Sequence, residues 1–140
     1  MSYGALFRAQ PFQNDLIVMN LTGQQIKQLL EQQFTATISE RPRLLGVSAG
    51  FSYQWDGSRP VGERVQAMRL NGAALVPALQ YRVTVNGYAA GGAEGLTAFR
   101  EGSERQVSVL DLEALVSFLQ DAAAVTPYQA PPLNRITRLR

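Results

Sequence analysis

Two aromatic residues of this chain lie where a ring face could be open to a ligand. Phe12 follows Pro11 and Tyr88 follows Gly87, so each ring stands beside a residue that favours a turn. Stacking a nucleobase on an exposed aromatic ring contributes about 1–3 kcal/mol. Phe12 and Tyr88 are therefore candidates for ligand contacts, whereas the aromatic residues inside strand-like segments are better explained as core.

The 140 residues include no histidine and no cysteine, which excludes much catalytic chemistry. A Ser-His pair, a Cys nucleophile and a zinc site built on His or Cys are all ruled out. The acidic residues are scattered mostly singly, the only lysine is Lys27, and no Gly-x-x-x-x-Gly-Lys phosphate loop occurs. We therefore expect no catalytic residue, no metal ligand and no cofactor in this chain, which leaves binding as its chemistry.

The charge balance and hydropathy argue against two classes of partner. Thirteen basic and eleven acidic residues give a net charge of +2, too little for a nucleic-acid-binding surface on composition alone. No apolar stretch is long enough to cross a membrane as a helix, and the first residues have no basic region followed by an apolar run. We expect no nucleic-acid partner, no membrane span and no signal peptide in this chain.

Hydrophobic periodicity predicts the elements that position the two aromatic residues. The apolar run of residues 15–19 is typical of a buried strand. A helix is expected to begin at Thr22, which forms a capping box with Gln25. The apolar face of this helix, at helical spacing, consists of Ile26, Leu29, Leu30 and Phe34.

Three strands, a glycine-rich segment and a second helix follow. Alternation predicts the strands at 47–55, 64–70 and 81–85, and residues 86–95 form the segment that we call the glycine loop. A second capping box, Ser108 with Asp111, predicts another helix with Leu112, Leu115 and Leu119 on one face. This order is neither a βαβ alternation nor all-β. We predict one α+β domain over residues 1–140, with helices packed on a mixed, largely antiparallel sheet.

Several segments, taken in order, resemble the C-terminal domain of the 5'-nucleotidase / UDP-sugar hydrolase family. Pro11-Phe12-Gln13-Asn14, an apolar strand and Leu21-Thr22-Gly23 are similar to the family's Pro-Phe-Gly-Asn, strand and Leu-Thr-Gly. Tyr88-Ala89-Ala90-Gly91-Gly92-Ala93-Glu94-Gly95 resembles its Phe-Leu-Ala-Ser-Gly-Gly-Asp-Gly loop, and Asn134-Arg135-Ile136 resembles its closing Gly-Arg-Ile. The resemblance covers residues 6–138, nearly the whole chain.

The resemblance implies substrate-binding roles for four residues. Phe12 and Tyr88 match the two aromatic residues that sandwich the base of the substrate. Asn14 matches the asparagine that hydrogen-bonds the base edge, and Glu94 matches the aspartate that holds the ribose hydroxyls.

The chain departs from the family pattern within these motifs. Gln13 and Ala93 replace glycines, Tyr88 replaces Phe, and Glu94 replaces Asp with a side chain one methylene longer. Ala93 lacks the easy access of glycine to positive φ, so we expect it to restrict the loop. A second alignment, with the Gly91-Gly92 pair on the family's Gly-Gly, puts Gly87 at the aromatic position and Ala93 at the acid.

The resemblance further implies which part of an enzyme this chain represents. In the family, an N-terminal metallophosphoesterase domain holds two divalent metal ions, and the C-terminal domain recognises the nucleoside. We expect that the N-terminal domain is absent from this chain, that the chain alone is inactive, and that the full-length protein hydrolyses a nucleotide. The implied partners are a nucleotide or nucleoside and the missing catalytic domain. The implied location of the full-length protein is the periplasm or the cell surface.

Two other interpretations stay open. A relative of the family could use the same domain for a non-nucleotide substrate, as thiosulfohydrolase-like enzymes do, and the changes at Ala93 and Glu94 would then mark an incomplete base site. Alternatively, the low charged fraction of 17% could mark a protein-interaction surface without a ligand, including that of a homo-oligomer.

Overall fold

A computed structural model describes residues 14–35, 44–125 and 132–140 of the chain. Its strands are β1 (Asp15–Thr22), β2 (Phe51–Trp55), β3 (Val65–Leu70), β4 (Ala73–Ala74), β5 (Gln80–Asn86), β6 (Ser103–Leu110) and β7 (Ile136–Arg138). Its α-helices are α1 (Gly23–Thr35), α2 (Gly87–Ala90) and α3 (Asp111–Val125), and its short 3₁₀ helices are η1 (Ala93–Gly95) and η2 (Thr97–Glu101). The α+β class predicted from the sequence is confirmed.

The strands form two sheets rather than the single sheet expected. The first sheet has the order β5-β1-β6 and is antiparallel throughout. The second has the order β4-β3-β2-β7 and is antiparallel except for β7, which runs parallel to β2 with Ile136 opposite Tyr53. The sheets together are therefore mixed and largely antiparallel, as predicted.

Helix α1 begins and buries its apolar face as the sequence predicts. The Thr22 amide donates to Gln25 Oε1 at 2.8 Å, and the Gln25 amide donates to Thr22 Oγ1 at 3.1 Å, which completes the capping box. The predicted apolar face, Ile26, Leu29, Leu30 and Phe34, is buried. Burial of each such side chain contributes about 1.5–3 kcal/mol. Because α1 contacts both β1 and β3, these side chains join the two sheets into one core.

Two buried polar side chains tie α1 to the second sheet. The Glu31 carboxylate accepts hydrogen bonds from the backbone amides of Arg64 and Val65, where β3 begins. The Gln33 amide donates to the Tyr53 hydroxyl at 3.2 Å and accepts from the Leu45 amide at 2.6 Å. Burial raises the pKa of the Tyr53 phenol, and the hydrogen bond with Gln33 opposes that rise in part.

The start of the last helix differs from the prediction. Ser108 lies inside β6, so the capping box of Ser108 with Asp111 is wrong. Pairing with β1 keeps the chain extended through Leu110, and α3 begins at Asp111, whose own carboxylate accepts from the Leu112 amide at 2.7 Å. The predicted apolar face of this helix is buried only at Leu112, since Leu115 and Leu119 are half-buried.

Candidate functional site

Three strand ends meet at one edge of the first sheet. Leu16 pairs with Asn86 and Asp15 pairs with Leu110, so β1 begins where β5 and β6 end. Asn14 precedes β1, and its carbonyl oxygen accepts from the Asp111 amide at 2.8 Å. This register brings Asn14 and the beginning of the glycine loop to the same edge.

Close backbone approach holds the glycine loop against the start of β1. A Cβ atom on Gly87 would lie 3.3 Å from the carbonyl oxygen of Asp15, tighter than most real Cβ contacts. Glycine therefore allows the first residue of α2 to lie directly against β1. Asn86 caps this helix, since its Oδ1 accepts from the Ala89 amide at 2.8 Å.

The single turn of α2 presents Tyr88 to solvent. Ala89 and Ala90 are buried against the rest of the fold, whereas the Tyr88 side chain is 62% exposed. An aromatic ring this open contributes little to a core, and its faces are accessible to a flat ligand. The prediction from the sequence that this ring differs from those of the strands holds, because Tyr53 and Trp55 are buried.

The backbone of the glycine loop is left-handed at Glu94. The φ angles are 87° at Gly92, 57° at Glu94 and 81° at Gly95. A left-handed conformation costs a non-glycine residue about 1–2 kcal/mol. Ala93 itself does not have a positive φ angle, as expected for an alanine, and the positive φ angles fall on its neighbours Gly92 and Glu94. Glu94 is exposed, and its 3₁₀ helix η1 contacts α2.

Two arginines that the sequence did not single out donate to the backbone of this region. Arg100 Nε donates to the carbonyl oxygen of Gly91 at 2.8 Å. Arg105 Nη2 donates to the carbonyl oxygens of Ala90, at 2.9 Å, and Phe99. The sequence carried no signal for these contacts, because they depend on how η2 and β6 fold back over the loop.

The structure thus brings together part of the predicted site. Asn14 and Tyr88 lie at the same sheet edge, and Glu94 lies in the short turn that follows α2. Phe12 lies outside the described residues. Nowhere in the described part of the chain do three or more His, Cys, Asp or Glu side chains converge in a way that could hold a metal ion. No helix among residues 14–35, 44–125 and 132–140 is long and apolar enough to cross a membrane.

Two curated proteins are similar in sequence to this chain. The cell wall protein Lmo0130 of Listeria monocytogenes is 26% identical over 127 residues, which cover 89% of this chain and 16% of that protein. The trifunctional nucleotide phosphoesterase protein YfkN of Bacillus subtilis is 31% identical over 108 residues, which cover 74% of this chain and 7% of that protein. The chain therefore spans only a small part of the length of these relatives.

Two solved structures illustrate the similarity of this chain in fold. A 5'-nucleotidase precursor from Thermus thermophilus superposes with a TM-score of 0.83 at 31% identity, covering 99% of this chain and 28% of that one. A sulfate thiohydrolase, SoxB, from the same species superposes with a TM-score of 0.61 at 22% identity, covering 91% and 23%. The second similarity shows the fold alone, so the fold by itself leaves the substrate class open.

A protein-family model also matches the larger part of the chain. The model described as the 5'-nucleotidase C-terminal domain matches residues 1–101 of the 140. This match includes every residue that the resemblance placed in the candidate site. The chain belongs to the 5'-nucleotidase C-terminal domain family.

Proposed function

We propose that this chain is the nucleoside-recognition domain of a larger nucleotide hydrolase. In this proposal Tyr88 stacks on one face of the base and Phe12 on the other. Asn14 hydrogen-bonds the edge of the base, and Glu94 holds the ribose hydroxyls. Domain 1–140 supplies recognition, while an N-terminal metallophosphoesterase domain outside this chain supplies two divalent metal ions and the hydrolysis.

The exposed ring of Tyr88 is the observation that carries the proposal. It is 62% exposed, although it lies between a capping asparagine and two buried alanines that fix its helix. A folded domain gains little from holding an aromatic ring in water, whereas a base stacked on such a ring gains about 1–3 kcal/mol. Asn14 lies at the same edge of the sheet, where an amide supplies both a donor and an acceptor to a base edge.

The backbone at Glu94 supports the ribose part of the proposal. A non-glycine residue with φ of 57° is uncommon, and strain of this kind concentrates at functional sites. A carboxylate can accept hydrogen bonds from two neighbouring hydroxyls, which suits a ribose diol. The extra methylene of Glu94 relative to aspartate extends the reach of that carboxylate.

The relatives support an extracytoplasmic setting for the larger protein. One is named as a cell wall protein and another as a precursor 5'-nucleotidase. We propose that the full-length protein is exported and acts in the periplasm or at the cell surface, on nucleotides that reach it there.

Titration of the 140-residue chain with adenosine tests nucleoside recognition. We expect saturable amide shifts at Asn14, Tyr88 and Glu94 in NMR spectra, with a dissociation constant in the millimolar range or below. Ribose alone, which lacks the base, should give no saturable shift. The absence of saturable shifts at millimolar adenosine would contradict the proposal.

Substitution of the exposed ring tests the stacking. Tyr88→Ala should weaken adenosine binding by about tenfold, because it removes one stacking face. Tyr88→Phe keeps the ring and should bind as the parent chain does. Leu79→Ala is the matched control, since Leu79 is 54% exposed just before β5 begins, at the opposite end of that strand. Equal weakening by Tyr88→Ala and Leu79→Ala would contradict a specific contact.

An activity assay tests the division of labour between the domains. We expect the 140-residue chain to release no phosphate from AMP when Mg²⁺, Mn²⁺ or Zn²⁺ is added. Release above the rate of a heat-denatured sample would place catalytic groups in this chain and overturn that part of the proposal.

A further inference from the structure

We propose that Arg100 and Arg105 are positioning residues that clamp the glycine loop in the conformation that receives the ligand. This inference rests on the proposed function, because the loop matters for binding only if Tyr88 and Glu94 contact the nucleoside. Neither arginine belongs to the set of four predicted contact residues. Both act on the backbone of the loop, and neither is proposed to touch the ligand.

Arg105 joins three elements at one guanidinium. It projects from β6, and its Nη2 donates to the carbonyl oxygens of Ala90, at the end of α2, and of Phe99, in η2. Hydrogen bonds from a charged donor are roughly twice as strong as neutral ones. One amino group therefore fixes the end of the helix that carries Tyr88 to the neighbouring turn.

Arg100 holds the next residue of the loop. Its Nε donates to the carbonyl oxygen of Gly91 at 2.8 Å, and its guanidinium covers the backbone of Gly92 so closely that a Cβ there would lie 2.5 Å from Nε. Gly92 is left-handed, with φ of 87°, and it begins the turn that leads to Glu94. The two arginines thus bind consecutive carbonyls between the proposed stacking ring and the proposed ribose acid.

A one-turn helix needs such support. Helix nucleation is unfavourable, and the last carbonyls of a helix have no partner within it. Asn86 caps the beginning of α2, and the arginines supply donors at its end. The guanidinium of Arg100 donates to a backbone oxygen, and that of Arg105 donates to two backbone oxygens and lies 3.9 Å from the Met19 sulfur.

The clamp affects binding through the fraction of molecules that hold the binding-competent conformation. When only a fraction of molecules holds the binding-competent conformation, the apparent dissociation constant rises by the inverse of that fraction. Loss of a clamp lowers the competent fraction without removing any ligand contact. Saturating ligand should then restore the loop, which distinguishes positioning from a general loss of structure.

The test compares adenosine titrations of Arg100→Ala, Arg105→Ala and the control Arg69→Ala. Arg69 also donates to a backbone carbonyl in a glycine turn, that of Gly72 at 3.3 Å, but in the second sheet. We expect the dissociation constant to rise about three- to tenfold for Arg105→Ala and somewhat less for Arg100→Ala. Arg69→Ala should stay within twofold. Amide exchange of residues 88–95 should accelerate in both loop variants and return to the parent rate at saturating adenosine.

The clamp proposal would be overturned if both loop variants bound adenosine as tightly as the parent chain and their amides in residues 88–95 exchanged at the parent rate. If Arg105→Ala does not fold, Arg105→Lys replaces it. A lysine keeps the charge but lacks the rigid planar guanidinium that places one amino group between the two carbonyl oxygens, so this variant should bind adenosine more weakly than the parent chain. If the parent chain itself does not bind adenosine, the proposed function fails, and the clamp is judged on loop exchange alone. Accelerated exchange in Arg105→Ala but not in Arg69→Ala then supports it, and equal exchange refutes it.

Discussion

The contact of α1 with the second sheet and the glycine loop use polar side chains in opposite ways. Between α1 and the second sheet, Glu31 and Gln33 are buried, and their hydrogen bonds fix β3 and Tyr53. In the glycine loop, Tyr88 and Glu94 are exposed, and the supporting hydrogen bonds come from other residues to the backbone.

The difference separates buried residues that stabilise the fold from exposed residues that, in the proposed function, contact a ligand. A buried carboxylate that accepts backbone amides is costly to remove, because its partners stay buried. An exposed ring on a helix capped at both ends has no comparable role in stability. Substitutions between α1 and the second sheet should therefore change the free energy of unfolding, and substitutions in the loop should change binding.

The largest loss of stability is expected for Glu31→Gln. The amide keeps the shape of the carboxylate but places an NH₂ group against one of the two donors, the amides of Arg64 and Val65. We expect unfolding in urea to show a loss of about 2–3 kcal/mol. Glu63→Gln, an exposed acid in the adjacent turn, is the control and should change stability by less than about 0.5 kcal/mol. Adenosine affinity of the folded Glu31→Gln chain should match the parent; a marked loss of affinity would erase the distinction between the two regions.

The next largest loss of stability is expected within the glycine loop, for Gly92→Ala. Gly92→Ala combines a positive φ with a Cβ 2.5 Å from Arg100 Nε, so we expect a loss of about 1–2 kcal/mol in thermal unfolding. Gly91→Ala is the matched control. Its φ is −80° and the nearest atoms to an added Cβ are 3.7 and 4.0 Å away, which is ordinary contact. Equal losses for the two variants would show that the conformation of Gly92 is not required.

Tyr53→Phe should cost about 1 kcal/mol at neutral pH, because it removes the hydroxyl that accepts from Gln33. Burial raises the pKa of Tyr53 above 10.0 in the folded chain, so the folded state retains a proton that the unfolded state releases. The stability contributed by this proton is complete below pH 10 and is lost as the pH rises through the folded-state pKa. Unfolding midpoints measured from pH 8 to pH 11 should fall more steeply for the parent than for Tyr53→Phe. Parallel curves would contradict a raised pKa.

The sequence predicted the regular parts of this fold and less of the site. Helix α1 follows from four apolar residues at helical spacing and from a capping box, both of which are local. Strand β6 was missed because the spacing of Ser108 and Asp111 matches a capping box, whereas pairing with β1 keeps the chain extended through Ser108. The exposure of the Tyr88 ring was predicted because its neighbour Gly87 favours a turn. The contacts of Arg100 and Arg105 with the loop backbone were not predicted, because contacts between separate elements produce no periodic pattern in a sequence.

Glu94 gives the smallest effect on stability and the sharpest separation of the two roles. Glu94→Gly removes the left-handed strain at φ of 57° but also adds freedom to the unfolded chain, so we expect a net gain of about 0.5–1 kcal/mol in urea unfolding. Glu94→Gln keeps the strain and removes only the charge, so its stability should equal that of the parent. Both variants should weaken adenosine binding, because neither has the carboxylate proposed to hold the ribose. A gain in stability with a loss of affinity for Glu94→Gly means that the strained backbone is maintained for the ligand; a loss of stability means that Glu94 stabilises the loop, and the contrast between the two regions then fails at this residue.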